Sequence, residues 1–200
     1  MKNLLVFLHG FGFDKNNNSD FISNLATELN ADILALDAPF ESGRAYGGFA
    51  WYPITPDTHE YILGDEFNHS VEFIKSEIDK YLREHDMTWN DVILTGRSQG
   101  AFMAMYLALT EIVQTRGIIS LCGHDCNGLL EKNVKNKSVP ILFCSAEFED
   151  ANRLAYHTDK ILGDAGANIL SIILSNSDHD NLSINAIPDV VAAARKMGII

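Results

Sequence analysis

Cysteine is scarce: the 200-residue chain has three (Cys122, Cys126 and Cys144). This odd number without framework spacing excludes a disulfide-stapled scaffold and fits a reducing compartment, so a cytoplasmic location is expected. Long apolar runs are missing too. No stretch approaches the roughly 18 uninterrupted apolar residues that a spanning helix needs, so stable membrane insertion is not expected. The early run Leu4-Leu5-Val6-Phe7-Leu8 stops at His9-Gly10 without a small-residue cleavage site, and reads as a strand rather than a signal peptide. Basic residues are few: 15 Lys and Arg against 27 Asp and Glu leave a formal net charge of −12. Nucleic acid and anionic membrane surfaces are negative themselves, so neither is an expected partner. With no repeat, low-complexity tract or linker, residues 1–200 read as one domain.

What remains is a repeating alternation. Short apolar, β-branched runs at about 3–8, 32–36, 91–95, 117–121, 139–144 and 168–174 are separated by segments of helical period. The helical segments include one capped by Ser19 or Asp20 and carrying Phe21, Ile22, Leu25 and Leu29, and one over 68–85 carrying Val71, Ile74, Ile78 and Leu82. Others follow Ser98 and cover about 152–163 and 184–197. The pattern predicts an α/β protein, a mostly parallel sheet with helices on both faces. Residues 41–67 break it, with four glycines, two prolines and six of the chain's nineteen aromatics and no clear period. Such a stretch is either a substrate-contacting loop or an aromatic mini-core covering a sheet edge.

The chemistry-bearing motif is Gly96-Arg97-Ser98-Gln99-Gly100. It follows the strand Asp91-Val92-Ile93-Leu94-Thr95 and opens the helix beginning at Ala101, the strand–turn–helix setting of a nucleophile elbow. A serine on such a strained turn is pushed above the sheet edge, and flanking glycines leave room where a Cβ would collide with a neighbouring element. The backbone N–H of Gln99, at the helix start, is then placed to stabilise an oxyanion. His9-Gly10-Phe11-Gly12, after the first strand, offers the amide of Phe11 as the second donor, with His9 structural. Dinucleotide binding is excluded because Lys15 stands where a third glycine belongs, and no phosphate-cradling Gly-Lys-Ser/Thr motif is present.

A serine hydroxyl needs a base, and in this fold the chain order is Ser, acid, His. His179, after the last predicted strand in Ser175-Asn176-Ser177-Asp178-His179-Asp180, is the expected base; His124 comes one strand early and His157 falls in a predicted helix. The acid belongs just after Ile141-Leu142-Phe143-Cys144, leaving Glu147, Glu149 and Asp150. Strand spacing favours Glu149; the commoner use of Asp and a loop one residue longer favour Asp150, the choice made here. Cys122-Gly123-His124-Asp125-Cys126 has no second ligand pair at a recognised spacing, so no metal is expected.

Taken together, Leu8-His9-Gly10-Phe11-Gly12, the aromatic segment ending in Trp51-Tyr52, Leu94-Thr95-Gly96-Arg97-Ser98-Gln99-Gly100, Pro140-Ile141-Leu142 and Asp178-His179 resemble the phospholipase/carboxylesterase family of α/β hydrolases, which includes acyl-protein thioesterases. The resemblance covers almost the whole chain. It departs in carrying Arg97 and Ala101 where the family usually has Phe or His and a second glycine, and Ser145-Ala146-Glu147-Phe148-Glu149 in place of a His-Gly-x-x-Asp acid motif. It implies a triad of Ser98, His179 and an acid, no cofactor, no large lid domain, and a shallow groove for an ester or thioester on a small molecule or a larger acylated one. Trp51 and Tyr52 are then candidate pocket walls. Arg97 either steers an anionic substrate or pairs with a carboxylate. The rival readings are a non-catalytic ligand-binding protein on the same scaffold, and a triad hydrolase of C–C or peptide bonds.

Overall fold

The computed structural model describes residues 2–43, 47–54, 62–110, 112–126, 128–149 and 157–200. Six parallel strands form one sheet: β1 (Asn3–Leu8), β2 (Ala31–Leu36), β5 (Val92–Arg97), β6 (Gly117–Leu121), β7 (Ile141–Ala146) and β8 (Ile169–Leu174), in the order β2-β1-β5-β6-β7-β8. A two-residue antiparallel pair, β3 (Phe40–Glu41) and β4 (Phe49–Ala50), lies outside it. The helices are α1 (Ser19–Glu28), α2 (Asp65–Glu84), α3 (Gln99–Leu109), α4 (Leu129–Asn133), α5 (Thr158–Asp164) and α6 (Ile187–Lys196). Among the described residues no helix is long and apolar enough to cross a membrane, and no lid domain is inserted.

Strand alternation divides the core in two. Leu4, Val6 and Leu8 of β1 join the apolar faces of α2, α3 and α4, whereas Leu5 and Phe7 join α1 and α6 on the opposite side. Central strands covered on both faces read as unbroken apolar runs, and Leu4 to Leu8 are all fully buried. All six expected strands form. β5 extends two residues beyond its apolar run because Gly96 and Arg97 pair with Ser120 and Leu121 of β6, a contact that depends on the partner strand rather than on propensity. The short β3–β4 pair and α4 carry too little periodicity to be seen in sequence. The helix expected over 152–163 begins at Thr158, and its earlier part lies outside the described residues.

Strand order positions the site. The chain lays β2 on one side of β1 and then β5 on the other, so the connections diverge between the carboxyl ends of β1 and β5, where open α/β sheets bind ligands. Leu8 pairs with Gly96, so residues 9–13 and 97–99 leave the sheet side by side.

Candidate active site

Ser98 has φ 50° and ψ −112°, a conformation that non-glycine residues adopt at a cost and that marks functional turns. Close packing imposes it. A Cβ on Gly96 would collide with the backbone of Gly100, and one on Gly100 with the carbonyl of Leu8, so α3 approaches β1 and β5 only because both positions lack side chains. The turn is pinned by Ser98 N–H donating to Leu121 O at 3.0 Å and by Phe102 N–H donating to Ser98 O at 3.1 Å. Ser98 is half-buried, and among the described residues its hydroxyl makes no hydrogen bond. Gln99 heads α3, where N–H groups have no acceptor within the helix.

Gln99 also ties the elbow to residues 51–52. Its Oε1 accepts from Trp51 N–H at 2.8 Å and its Nε2 donates to Tyr52 O at 2.7 Å. Trp51 Nε1 donates to His9 O at 2.9 Å, and the indole ring stands 5.3 Å from the His9 imidazole. His9 is fully buried; its Nε2 accepts from Ala38 N–H at 3.0 Å, which leaves the proton on Nδ1 to reach Gly10 O at 2.7 Å. Burial outweighs this bond and the nearby carboxylates and lowers the pKa of His9, keeping it a neutral strut for the turn that carries Phe11. The structural role expected for His9 is the one observed.

On the other side stand the loops after β7 and β8. His179 Nδ1 meets Glu149 Oε1 at 2.6 Å, with the carboxylate buried and the imidazole partly exposed. Burial pushes the Glu149 carboxyl up, but the hydrogen bond and charge of His179, the Cys122 thiol and an Ala146 backbone bond together hold it below the usual carboxylate range. The two loops are latched together. Glu147 Oε2 accepts from Asn176 N–H at 2.7 Å, and Phe148 N–H donates to Ser177 O at 3.0 Å. Asp178 Oδ1 accepts from the N–H groups of Asp180 and Asn181, both at 2.8 Å, folding the turn that presents His179.

Of the acids weighed from sequence that lie among the described residues, Glu149 is the one against His179, as the spacing from the strand favoured, while Glu147 accepts from Asn176 N–H. Asp150, the acid expected from sequence, lies outside the described residues. The pocket-wall reading of Trp51 and Tyr52 gives way. Both side chains are fully buried and offer no surface to a substrate; they brace the elbow and the His9 turn from behind. Of the other aromatics in 41–67, Tyr46 and Tyr61 lie outside the described residues. Arg97 does not face substrate either: it is 1% exposed, and Nη1 donates to His179 O at 2.7 Å and to Asp180 Oδ1 at 2.9 Å. The side chains of the Cys122–Cys126 stretch diverge, with Cys122 against Glu149, Asp125 accepting from Leu130 N–H in α4 at 2.8 Å, and Cys126 Sγ 3.1 Å from Tyr52 Oη.

Sequence reasoning missed Asn18. It was passed over as a helix cap in favour of Ser19 or Asp20, yet it occupies that position with φ 56° and makes no side-chain cap. Its side chain instead accepts from Leu182 N–H at 3.1 Å and donates to Asp180 O at 3.3 Å, bracing the histidine loop. An asparagine before the expected cap was the available signal, but its partner lies 164 residues away.

A parallel sheet in this order, a strained serine between β5 and α3, and a histidine after the last strand define an α/β hydrolase. Residues 1–172 match the model of the phospholipase/carboxylesterase family, and the chain belongs to that family. Acyl-protein thioesterase 1 of Debaryomyces hansenii is 26% identical over 136 residues, covering 61% of this chain and 57% of that protein, so the match spans little more than half of the relative's length. Among solved structures, esterase PE8 superposes with a TM-score of 0.80 at 22% identity, covering 98% of this chain and 93% of that one. The Bacillus cereus carboxylesterase gives 0.75 at 13% identity over 98% and 89% of the two chains. Acyl-protein thioesterase 2 of Zea mays gives 0.72 at 18% over 100% and 94%. At these identities the structural likeness is one of fold.

Proposed function

We propose that the protein hydrolyses carboxylic esters or thioesters by acyl transfer through Ser98, with His179 as general base and Glu149 as the acid that orients it. The observation that carries this reading is the 2.6 Å contact of His179 Nδ1 with buried Glu149, on the same sheet edge as the strained Ser98. A carboxylate can only accept, so Nδ1 carries the proton and Nε2 keeps its lone pair. Nε2 takes the Ser98 proton as Oγ attacks the carbonyl carbon, and the amides of Phe11 and Gln99 receive the oxyanion. The protonated imidazole then gives its proton to the leaving alcohol or thiol. Water, deprotonated by His179, attacks the acyl-enzyme and releases the acid and Ser98. The substrate is a small soluble or acylated molecule bearing one of these bonds, and a reducing, cytoplasmic setting suits three free, buried cysteines.

A fluorophosphonate probe tests the reading. Ser98 of the folded protein should be labelled, and Ser98→Ala should abolish both labelling and hydrolysis of p-nitrophenyl acetate. Failure of folded wild-type protein to react with either would overturn it. The binding-protein alternative drew on the altered acid motif, and Glu149 beside His179 removes that support.

A further inference from the structure

We propose that Arg97 is a positioning residue whose buried guanidinium locks the histidine loop to the nucleophile elbow and to the Gly10–Phe13 turn. The proposal rests on the acyl-transfer reading above for the roles of Ser98 and His179. Among the described residues, the hydrogen bonds joining residues 96–99 to the loop 175–181 both come from Arg97 Nη1, at 2.7 Å to His179 O and 2.9 Å to Asp180 Oδ1. One of them holds the backbone of the base itself. Glu149 fixes the other end of that residue at Nδ1, so backbone and ring are each anchored and Nε2 is left one direction in which to point.

The same guanidinium reaches the third loop. Its central carbon lies 4.3 Å from the centroid of the Phe13 ring, a cation–π distance. It also packs so closely on Gly10 that a Cβ there would come within 2.7 Å of Nη2. A side chain that touches the elbow, the turn bearing Phe11 and the loop bearing His179 sets their relative positions, which is where acyl transfer is most sensitive to displacement.

Stability does not explain its presence. Arg97 is 1% exposed, Nε is buried without a hydrogen-bond partner among the described residues, and the paired Asp180 carboxylate is 55% exposed and screened by water. Desolvating a cation and stranding one of its donors is costly, and exchanging such groups for apolar ones of similar volume is often neutral or stabilising. Arg97 therefore costs the fold something while anchoring the catalytic base, a combination that a packing residue would not show. The family's usual Phe or His here has no fork of donors to hold both the carbonyl and the neighbouring carboxylate.

The test separates stability from turnover. Arg97→Met should keep or raise Tm while lowering kcat for p-nitrophenyl acetate by roughly 10- to 100-fold, with KM changed by less than about threefold. Arg97→Lys, which keeps the charge and a shorter-reaching donor, should recover part of that loss. The downfield proton resonance of His179 Nδ1–H gives a readout independent of turnover: sharp in wild-type protein, broadened or lost in Arg97→Met. Wild-type kcat with an unchanged resonance overturns the proposal, as does a loss confined to KM. If Arg97→Met does not fold, Asp180→Ala, which removes the side-chain acceptor of Arg97 Nη1, decides, with a broadened resonance expected and an unchanged one counting against the proposal. Should the wild-type protein neither turn over esters nor take up fluorophosphonate, the acyl-transfer reading fails, and the resonance alone decides whether Arg97 positions His179.

Discussion

Backbone packing holds the serine side of the site, and side-chain hydrogen bonds hold the histidine side. On the first, Gly96 and Gly100 let α3 press against β1 and β5, and a fully buried frame of His9, Trp51, Tyr52 and Gln99 closes behind the turn. On the second, Glu147, Asp178, Asn18 and Arg97 latch polar loops that are largely exposed at Asn176 and Asp180. Sterics make the first side all-or-none, because a backbone collision cannot be relaxed by a rotamer change. The second is a set of separable bonds: those of Glu147, Asp178 and Asn18 are each worth about 0.5–1.5 kcal/mol, whereas those of Arg97 are offset by the desolvation of its guanidinium. Changes on the first side should therefore damage folding, and changes on the second should damage rate.

Ser98→Ala is the largest expected effect and the exception that sharpens the contrast. It removes the proposed nucleophile without touching the packing, so kcat should fall about 10⁴-fold or more at unchanged Tm, read by p-nitrophenyl ester kinetics and thermal unfolding. Glu149→Gln follows, with a loss on the order of 10³-fold as His179 is released from the required tautomer. If Glu149 is the orienting acid, Asp150→Asn should stay within about threefold, read by the same kinetics. Gly100→Ala breaks the other side: its Cβ would meet the Leu8 carbonyl, and denaturant unfolding should report a loss on the order of 3 kcal/mol. Unaltered stability there would remove the steric account of the elbow.

Acid should expose the latch. The Glu149 carboxyl lies below the usual carboxylate range in the folded protein, because its bonds to His179, Cys122 and Ala146 outweigh burial. A depressed pKa means that the stability it contributes is fully present above the ordinary value of about 4.3 and is lost as pH falls through the lower folded value. The Tm of wild-type protein should thus exceed that of Glu149→Gln at neutral pH, the difference narrowing below about pH 4. Asn18→Ala is the smallest effect, removing one brace of the histidine loop at about 1 kcal/mol with a severalfold fall in kcat.

The same division explains what could be read in advance. Ser98, its glycines, the strand before and the helix after are local in sequence, so their spacing carries their geometry. His179 was expected from chain order and from the last strand that precedes it, and in the structure it meets Glu149. The acid was harder: three carboxylates crowd one loop, and choosing among them needs the path of that loop relative to a histidine 30 residues away. Trp51 and Tyr52 were misjudged for a related reason. An aromatic pair in an irregular segment looks the same whether it lines a groove or fills the space beneath one, and only the closure of 49–52 over Gln99 and His9 selects the second.

By itself the sequence determined the parallel sheet, the family and the glycine-bounded turn that carries Ser98, because apolar period, glycine placement and chain order are properties of a chain and its nearest neighbours. Tertiary structure alone decided that Glu149 meets His179, that Trp51 and Tyr52 are buried, and that Arg97 turns inward to the histidine loop. Each of these depends on which distant loops arrive at one end of the sheet, and on the desolvation and hydrogen bonding that follow when they do.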